Sequence, residues 1–174
     1  MKKIILTVCK GNINRSVIAA ACIDKLLRIQ KIQSAIEVRS RGLLGSFGTA
    51  PPRAPSIREY PAEWALTRPG LEALGIEIPI HQTATPITRA DVESASLILA
   101  LDRSVMQTLL NHFDDEVPDL HSKMMLFMEL GGVSADVPDP DGKRDPAIFN
   151  EVITIIHSTT EGSLSELLRL VNRS

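Results

Sequence analysis

The sequence predicts an α/β fold, with a single open sheet of about four parallel strands and helices on both faces. Two continuous apolar runs, Ile4–Val8 and Leu97–Leu101, are typical of parallel strands that are buried on both faces. Each run is followed by apolar residues at helical spacing, so strands and helices alternate. At 174 residues the chain can bury a sizeable core, and we expect one domain spanning residues 1–174.

The first strand, Ile4–Val8, leads through a short loop into the first helix. From Ser16 onward apolar residues recur at helical spacing to about residue 30, and Cys22 is one of them, which indicates a buried core cysteine. Residues 36–40 then alternate between apolar and polar and end at Gly42, as expected of a second strand. Together they predict a right-handed βαβ unit.

The segment 43–68 has no regular period and is predicted to be an irregular insertion rich in proline and glycine. A loop of this length in a compact domain is usually functional or mobile. It contains Tyr60 and Trp64, the only tyrosine and tryptophan of the chain, which either pack the loop onto the body or line a binding mouth. Residues 60–64 could begin a short helix. A short helix is predicted between Pro69 and Gly75.

The second half repeats the alternation of helices and strands. Thr88 is a predicted helix cap with Asp91 at the third helical position, and Asp102 is predicted to cap the helix that follows the strand Leu97–Leu101. A fourth strand is predicted at residues 123–128, and the last helix is expected to open at Asp145-Pro146. Ligands of such sheets bind beyond the carboxyl ends of the strands.

Composition excludes several classes of protein. The formal net charge of -2 is not the strongly basic balance of a general nucleic-acid binder. Two cysteines, Cys9 and Cys22, make no disulfide framework and stand in no metal-ligand spacing. No apolar run has the length of a signal peptide core or a membrane span. We therefore expect a cytoplasmic protein with no metal, cofactor, nucleic-acid or membrane partner, and the oligomeric state stays open.

The eight residues after the first strand have the composition of a phosphate-binding loop with a thiol at its floor. A thiol attacks phosphorus only as the thiolate, which a positive environment stabilises. Backbone N–H groups of residues 10–15 and the N-terminus of the next helix can supply it. Arg15 can hold two phosphate oxygens, and the Ser16 hydroxyl can donate to the sulfur. The loop residues are Cys9, Lys10, Gly11, Asn12, Ile13, Asn14, Arg15 and Ser16.

The plainer interpretation of this loop is an ordinary strand-to-helix turn with a buried cysteine. The position between a strand and a helix, together with the Gly11-Asn12 pair that tolerates left-handed backbone, favours the phosphate loop.

Attack by Cys9 on a phosphate ester would expel an alcohol, whose oxygen needs a proton. Four acidic residues compete for this role late in the chain: Asp136, Asp139, Asp141 and Asp145. Prolines at 138 and 140 stiffen the backbone around Asp139 and favour it weakly, whereas a solvated surface turn explains the stretch as well.

The stretch from Val8 to Ser16 resembles the signature of the low-molecular-weight protein tyrosine phosphatases, and Asp139-Pro140 matches the acid loop of that family. The resemblance implies that Cys9 is the nucleophile, Arg15 the clamp of the transition state and Asp139 the general acid and base. It also implies that Asn12, Ser16, Ser40 and His81 support the loop. Ordinary hydrogen bonding at strand ends explains Ser40 and His81 equally well.

The chain departs from the family pattern at several positions. Asn14 replaces the second cysteine of the loop, so a protective disulfide with Cys9 cannot form, and oxidised Cys9 would have no neighbouring thiol. Val17 replaces a proline. Asp141 stands where aromatic residues often line the wall for a phosphotyrosine ring, and Tyr60 or Trp64 from the long 43–68 segment could replace that wall.

The resulting hypothesis is a phosphomonoester hydrolase, specifically a protein tyrosine phosphatase that forms a phosphocysteine on Cys9. Its substrate would be a protein carrying phosphotyrosine or a small phosphomonoester. The alternatives are an arsenate reductase, for which Cys22 is the one further cysteine, and a module that binds phosphate or phosphoproteins without turnover.

Overall fold

A computed structural model describes residues 2–173. Its four-stranded sheet is entirely parallel, in the order β2-β1-β3-β4, and carries helices on both faces, which confirms the predicted fold class. The strands are β1 Lys3–Cys9, β2 Ile36–Gly42, β3 Leu97–Ala100 and β4 Met124–Leu126.

The helices alternate with these strands as expected of an open α/β sheet. They are α1 Arg15–Ile29, α2 Pro61–Ala73, α3 Arg89–Ser94, α4 Arg103–Phe113, α5 Leu120–Lys123, α6 Pro146–Glu161 and α7 Leu164–Val171. Two 3₁₀ turns lie at Ile57–Glu59 and Phe127–Gly131. No helix within residues 2–173 is long and apolar enough for a membrane span.

Alternate side chains of the central strands point to opposite faces of the sheet and form two cores. Ile5 and Leu99 face the core that includes α1 and α6, whereas Leu6 and Ile98 face the core that includes α3 and α4. All four side chains are fully buried, as expected of strands covered by helices on both sides.

The predicted irregular insertion at 43–68 ends earlier than expected. Helix α2 begins at Pro61, the first helical position, where proline costs no hydrogen bond. Pro69 was predicted to begin a helix but lies inside α2, where it cannot donate to the carbonyl of Ala65. Because both residues are exposed, solvent can bond that carbonyl.

The predicted fourth strand is shorter than its apolar pattern. Only Met124–Leu126 pair with β3, because β3 itself has four residues and the chain turns into a 3₁₀ helix at Phe127. Lys123 belongs to the preceding helix α5.

Strand register places the predicted site at one edge of the sheet. Cys9 is opposite Gly42 at the carboxyl end of β2, and Val8 is opposite Ala100 at the carboxyl end of β3. The loop after β1 therefore lies beside the chain segments that leave β2 and β3.

Candidate active site

The loop after β1 curls around the sulfur of Cys9. The N–H of Asn12 donates to Cys9 Sγ at 3.3 Å, and Ser16 Oγ lies 3.0 Å from the same sulfur. Asn12 adopts the left-handed conformation with φ +54°, so of the predicted Gly11-Asn12 pair the asparagine makes the turn. The sulfur thus accepts from the Asn12 N–H and lies within hydrogen-bond distance of the Ser16 hydroxyl, which can donate to it; such donors stabilise a thiolate.

Other amides of this loop are free to bind an anion. Among residues 2–173, the N–H groups of Gly11, Ile13 and Asn14 find no protein acceptor. They precede helix α1, which begins at Arg15 and directs the positive end of its dipole to the same place. Unpaired donors around a helix N-terminus form a binding site for phosphate.

Asn12 connects the loop to its surroundings through both ends of its amide. Its Nδ2 donates to Ser16 Oγ at 3.0 Å, and its Oδ1 accepts from the N–H of Thr85 at 2.8 Å. Gly42 lies directly against it, since a Cβ on Gly42 would stand 2.8 Å from Asn12 N. The shape of the loop therefore depends on Gly42 at the end of β2 and on Thr85 in the segment before α3.

Arg15 is the first residue of α1 and is 3% exposed. Its Nη1 donates to Asp102 Oδ2 at 2.7 Å and to the carbonyl of Val137 at 3.0 Å, and its Nη2 donates to Asp139 Oδ2 at 2.7 Å. Asp102 also caps α4, because its Oδ1 accepts from Val105 N–H at 2.7 Å. Asp102 and the Val137 carbonyl thus hold Nη1 of the guanidinium, and the half-exposed Asp139 carboxylate pairs with Nη2.

The structure separates the four candidate acids. Asp139 alone contacts Arg15 among them, and its side chain is 43% exposed at the cavity. Asp136 bonds to Arg103 outside the cavity, and Asp145 caps α6. Asp141 lies on the cavity rim, and its N–H donates to Asp139 Oδ1 at 3.1 Å. This placement favours Asp139 as the acid.

A cavity of about 390 Å³ opens above Cys9. One wall comes from the segment after β2, with Tyr60 held by hydrogen bonds of its hydroxyl to the N–H and carbonyl of Ala54. Arg53 lies over the Tyr60 ring, 4.9 Å from its centroid. The remaining lining is Lys10, Gly11, Ile13, Asn14, Arg15, Leu44, Pro52, Ile57, Glu63, Asp139, Pro140, Asp141, Gly142 and Phe149.

Three predicted residues lie away from this cavity. The Trp64 ring packs under Arg58, 5.0 Å from its Cζ, and lines a different groove. His81 is exposed and Ser40 is buried, and neither side chain has a hydrogen bond to the loop within residues 2–173. The backbone of Thr85 makes the contact expected of His81, because the segment after Ile80 turns the histidine outward.

Asn14 connects the loop to α2, since its Nδ2 donates to Thr67 Oγ1 at 3.3 Å. Cys22 is buried in the core around α1, and burial raises the pKa of its thiol to about 12. No group of three His, Cys, Asp or Glu side chains within residues 2–173 is placed to hold a metal ion.

Sequence reasoning missed the second roles of Asp102 and Gly42. Asp102 was predicted only as a helix cap and Gly42 only as a strand end, yet one holds Arg15 and the other makes room for the loop. The available signal was their position, since Gly42 ends β2 and Asp102 lies two residues after β3, at the carboxyl ends of the strands where the thiol also lies.

A model of the low molecular weight phosphotyrosine protein phosphatase family matches residues 4–173. The chain belongs to this family. A low molecular weight phosphotyrosine protein phosphatase of Pongo abelii is 32% identical over 125 residues, which are 72% of this chain and 70% of the relative. The predicted enzyme class, a cysteine-dependent phosphatase of phosphate monoesters, is thereby confirmed.

Solved structures share the fold. A low molecular weight phosphotyrosine phosphatase from Vibrio cholerae O395 superposes with a TM-score of 0.75 at 22% identity, covering 96% of this chain and 97% of the other. The YwlE arginine phosphatase from Geobacillus stearothermophilus gives a TM-score of 0.71 at 21% identity, covering 96% and 93%. At such identities the likeness concerns the fold of this low molecular weight phosphatase.

Proposed function

We propose that this phosphatase hydrolyses phosphotyrosine in proteins through a phosphocysteine intermediate on Cys9. The observation that carries the proposal is the convergence of Cys9, Arg15 and Asp139 in one cavity, although Asp139 is more than a hundred residues from the thiol in sequence. The free amides of the loop and the Arg15 guanidinium line the same cavity as the sulfur.

The first step begins when the phosphate dianion enters the loop. Arg15 then exchanges the Asp139 carboxylate for phosphate oxygens, while Asp102 and the Val137 carbonyl keep the guanidinium in place. Cys9 Sγ attacks phosphorus, the S–P bond forms and the bond to the tyrosine oxygen breaks. Asp139 acts as the general acid and gives a proton to that oxygen.

The second step returns the enzyme to its starting state. Asp139, now a carboxylate, takes a proton from water as the water oxygen attacks phosphorus. The S–P bond breaks, inorganic phosphate leaves, and Cys9 is restored as the thiolate beside Ser16 and Asn12. No cofactor takes part in this proposal.

The walls of the cavity support an aromatic substrate. Leu44, Ile57, Tyr60 and Phe149 provide apolar surface between the mouth and the sulfur. The residue after Asp139-Pro140 is Asp141, so this position provides no aromatic wall for a substrate ring. Tyr60 provides the aromatic wall instead. A planar phenyl ring fits such a slot and brings its phosphate to the loop.

The geometry supports the two alternatives less well. Arsenate reduction needs a relay of thiols, but Cys22 is 3% exposed and its pKa of about 12 keeps it protonated. A module that only binds phosphate needs no acid beside the clamp, yet Asp139 contacts Arg15. A cytoplasmic setting, with proteins carrying phosphotyrosine as partners, remains part of the proposal.

A substrate panel tests the proposal. Phosphotyrosine, phosphoserine and phosphoarginine peptides and arsenate are compared with the wild type, Cys9→Ser and Asp139→Ala. We expect phosphotyrosine to be preferred, Cys9→Ser to be inactive and Asp139→Ala to lose about 10²–10⁴-fold in rate. Full activity of Cys9→Ser would exclude the mechanism, and a preference for phosphoarginine would replace the substrate.

A matched pair of variants tests the aromatic wall. Tyr60 lines the cavity and Trp64 does not. We expect Tyr60→Ala to raise KM for phosphotyrosine peptides about tenfold through lost ring contacts, and Trp64→Ala to leave KM unchanged. The reverse pattern would show that the wall lies elsewhere.

A further inference from the structure

The N-terminus of helix α4 is bonded both to Arg15 and to the segment that carries Asp139. Asp102, its cap, holds Arg15. The preceding carbonyl, that of Leu101, accepts from Val137 N–H at 2.9 Å, and the carbonyl of Val137 accepts from Arg15. The segment that carries Asp139 is therefore attached where α4 begins.

Asp136 makes a further attachment that the proposed mechanism leaves unused. Its Oδ1 accepts from the backbone N–H of Arg103 at 3.0 Å and from Arg103 Nη1 at 3.1 Å. Arg103 Nη2 also donates to the carbonyl of Ser134 at 2.6 Å. With a longer contact of Nη2 to Ser134 Oγ at 3.4 Å, Arg103 holds the segment 134–136 by four hydrogen bonds that span more than thirty residues of sequence.

The contact differs from an ordinary surface ion pair. The side chains are 57% and 44% exposed, so their charge attraction alone contributes little to stability. However, the backbone N–H of Arg103 is a first-turn donor of α4, and a carboxylate there is favoured by the helix dipole. The contact between Arg103 and Asp136 therefore fixes the position of Asp136 more than it stabilises the fold.

A rigid backbone transmits that position to the acid. Pro138 and Pro140 flank Asp139 and fix their own φ angles. Val137, which is 1% exposed, is buried in the core and so fixes how far the segment lies from it. A hydrogen-bonded Asp136 then fixes the rotation of the segment about that anchor, and with it the direction of the Asp139 carboxyl group.

We propose that Asp136 is a positioning residue, held by Arg103, that aims Asp139 at the leaving-group oxygen. The inference rests on the proposed function, in which Asp139 donates the proton. It assigns a role to the acidic residue that sequence reasoning considered as a possible acid.

The dependence of kcat/KM on the leaving group tests this role. A phenol as basic as tyrosine, with a pKa of about 10, needs the proton, whereas p-nitrophenol leaves readily without it. In Asp136→Ala we expect kcat/KM for phenyl phosphate to fall about tenfold, because misplacing a catalytic group by about 1 Å can cost up to 10²-fold. The p-nitrophenyl phosphate value should change by less than about threefold.

Companion variants separate position from charge. Asp136→Asn keeps the acceptor oxygen and should restore the wild-type dependence on the leaving group. Arg103→Ala keeps the backbone donor and should show a smaller loss than Asp136→Ala. Arg89→Ala removes an equally exposed arginine, 56% against 57%, from its partner Glu93 and should change nothing.

The outcomes distinguish this inference from the proposed function. If Asp139→Ala and Asp136→Ala each steepen the dependence, and Asp136→Ala adds no further change in the Asp139→Ala background, the positioning role holds. If Asp139→Ala steepens it while Asp136→Ala alone matches the wild type, or loses equally with both esters, the positioning role is overturned. If Asp139→Ala itself has no effect, the proposed acid is wrong.

Discussion

Replacing Asp102 by asparagine or by alanine separates its two contacts. Alanine removes the cap of α4, worth about 1 kcal/mol, as well as the charged bond to Arg15, worth about 1.5–3 kcal/mol. Asparagine caps a helix equally well, but its amide NH₂ then meets the Nη1 donor of Arg15. We therefore expect the free energy of unfolding of Asp102→Asn to be about 1 kcal/mol higher than that of Asp102→Ala.

Activity should follow the arginine and not the cap. Arg15 is 3% exposed and depends on Asp102 for its direction, so both variants should lose about 10–100-fold in kcat/KM for an aryl phosphate. Urea denaturation and steady-state kinetics measure the two quantities. Thr88→Ala, which removes the cap of α3 and no hydrogen bond of Arg15, is the control that should lose stability alone. Wild-type kcat/KM in Asp102→Asn would show that Asp102 does not direct Arg15.

Three further predictions concern the core, the loop and the wall. Because the folded pKa of Cys22 is about 12 against an ordinary 9.0, the unfolded chain loses this proton first as pH rises, so the unfolding free energy should fall above pH 9 by up to about 1.4 kcal/mol per pH unit, and Cys22→Val should lack this fall in denaturation series. Gly42→Ala would press a Cβ against Asn12 and should weaken inhibition by phosphate more than about tenfold, whereas an unchanged Ki would show that the loop can yield. Phe47 stacks on His112 with centroids 3.8 Å apart and packs against the core that includes α4, not in the cavity wall; Phe47→Ala should lower the unfolding free energy by about 1 kcal/mol and leave KM for aryl phosphates unchanged, and a raised KM would show that the wall extends to Phe47.

Local patterns predicted the elements that local physics determines. The apolar run before Cys9, the caps Thr88 and Asp102, and the start of α6 at Asp145-Pro146 are all found as expected. Each depends on residues within a turn or two of one another. The sequence placed a possible helix start at residues 60–64 and a separate short helix at Pro69, whereas one helix, α2, begins at Pro61 and continues through Pro69, because the rule for proline in the first turn applies to both residues.

Long-range contacts could not be predicted in the same way. The second oxygen of Asp102 reaches Arg15 across 87 positions, and nothing in the spacing indicates it. His81 was expected to support the loop, but a backbone N–H a few residues later makes that contact, and backbone donors carry no residue signature. The residues alone favoured Asp139 only weakly among four acidic residues, and its selection came from the family resemblance; its contact with Arg15 is visible only in the fold.

The most direct test of the account is a rapid-quench experiment with a phosphate-labelled aryl ester. We expect label on the peptide that contains Cys9 in the wild type, more of it in Asp139→Ala, because water then lacks its base, and none in Cys9→Ser. Turnover of the ester with label on another residue, or with no labelled enzyme in Asp139→Ala, would contradict the phosphocysteine mechanism.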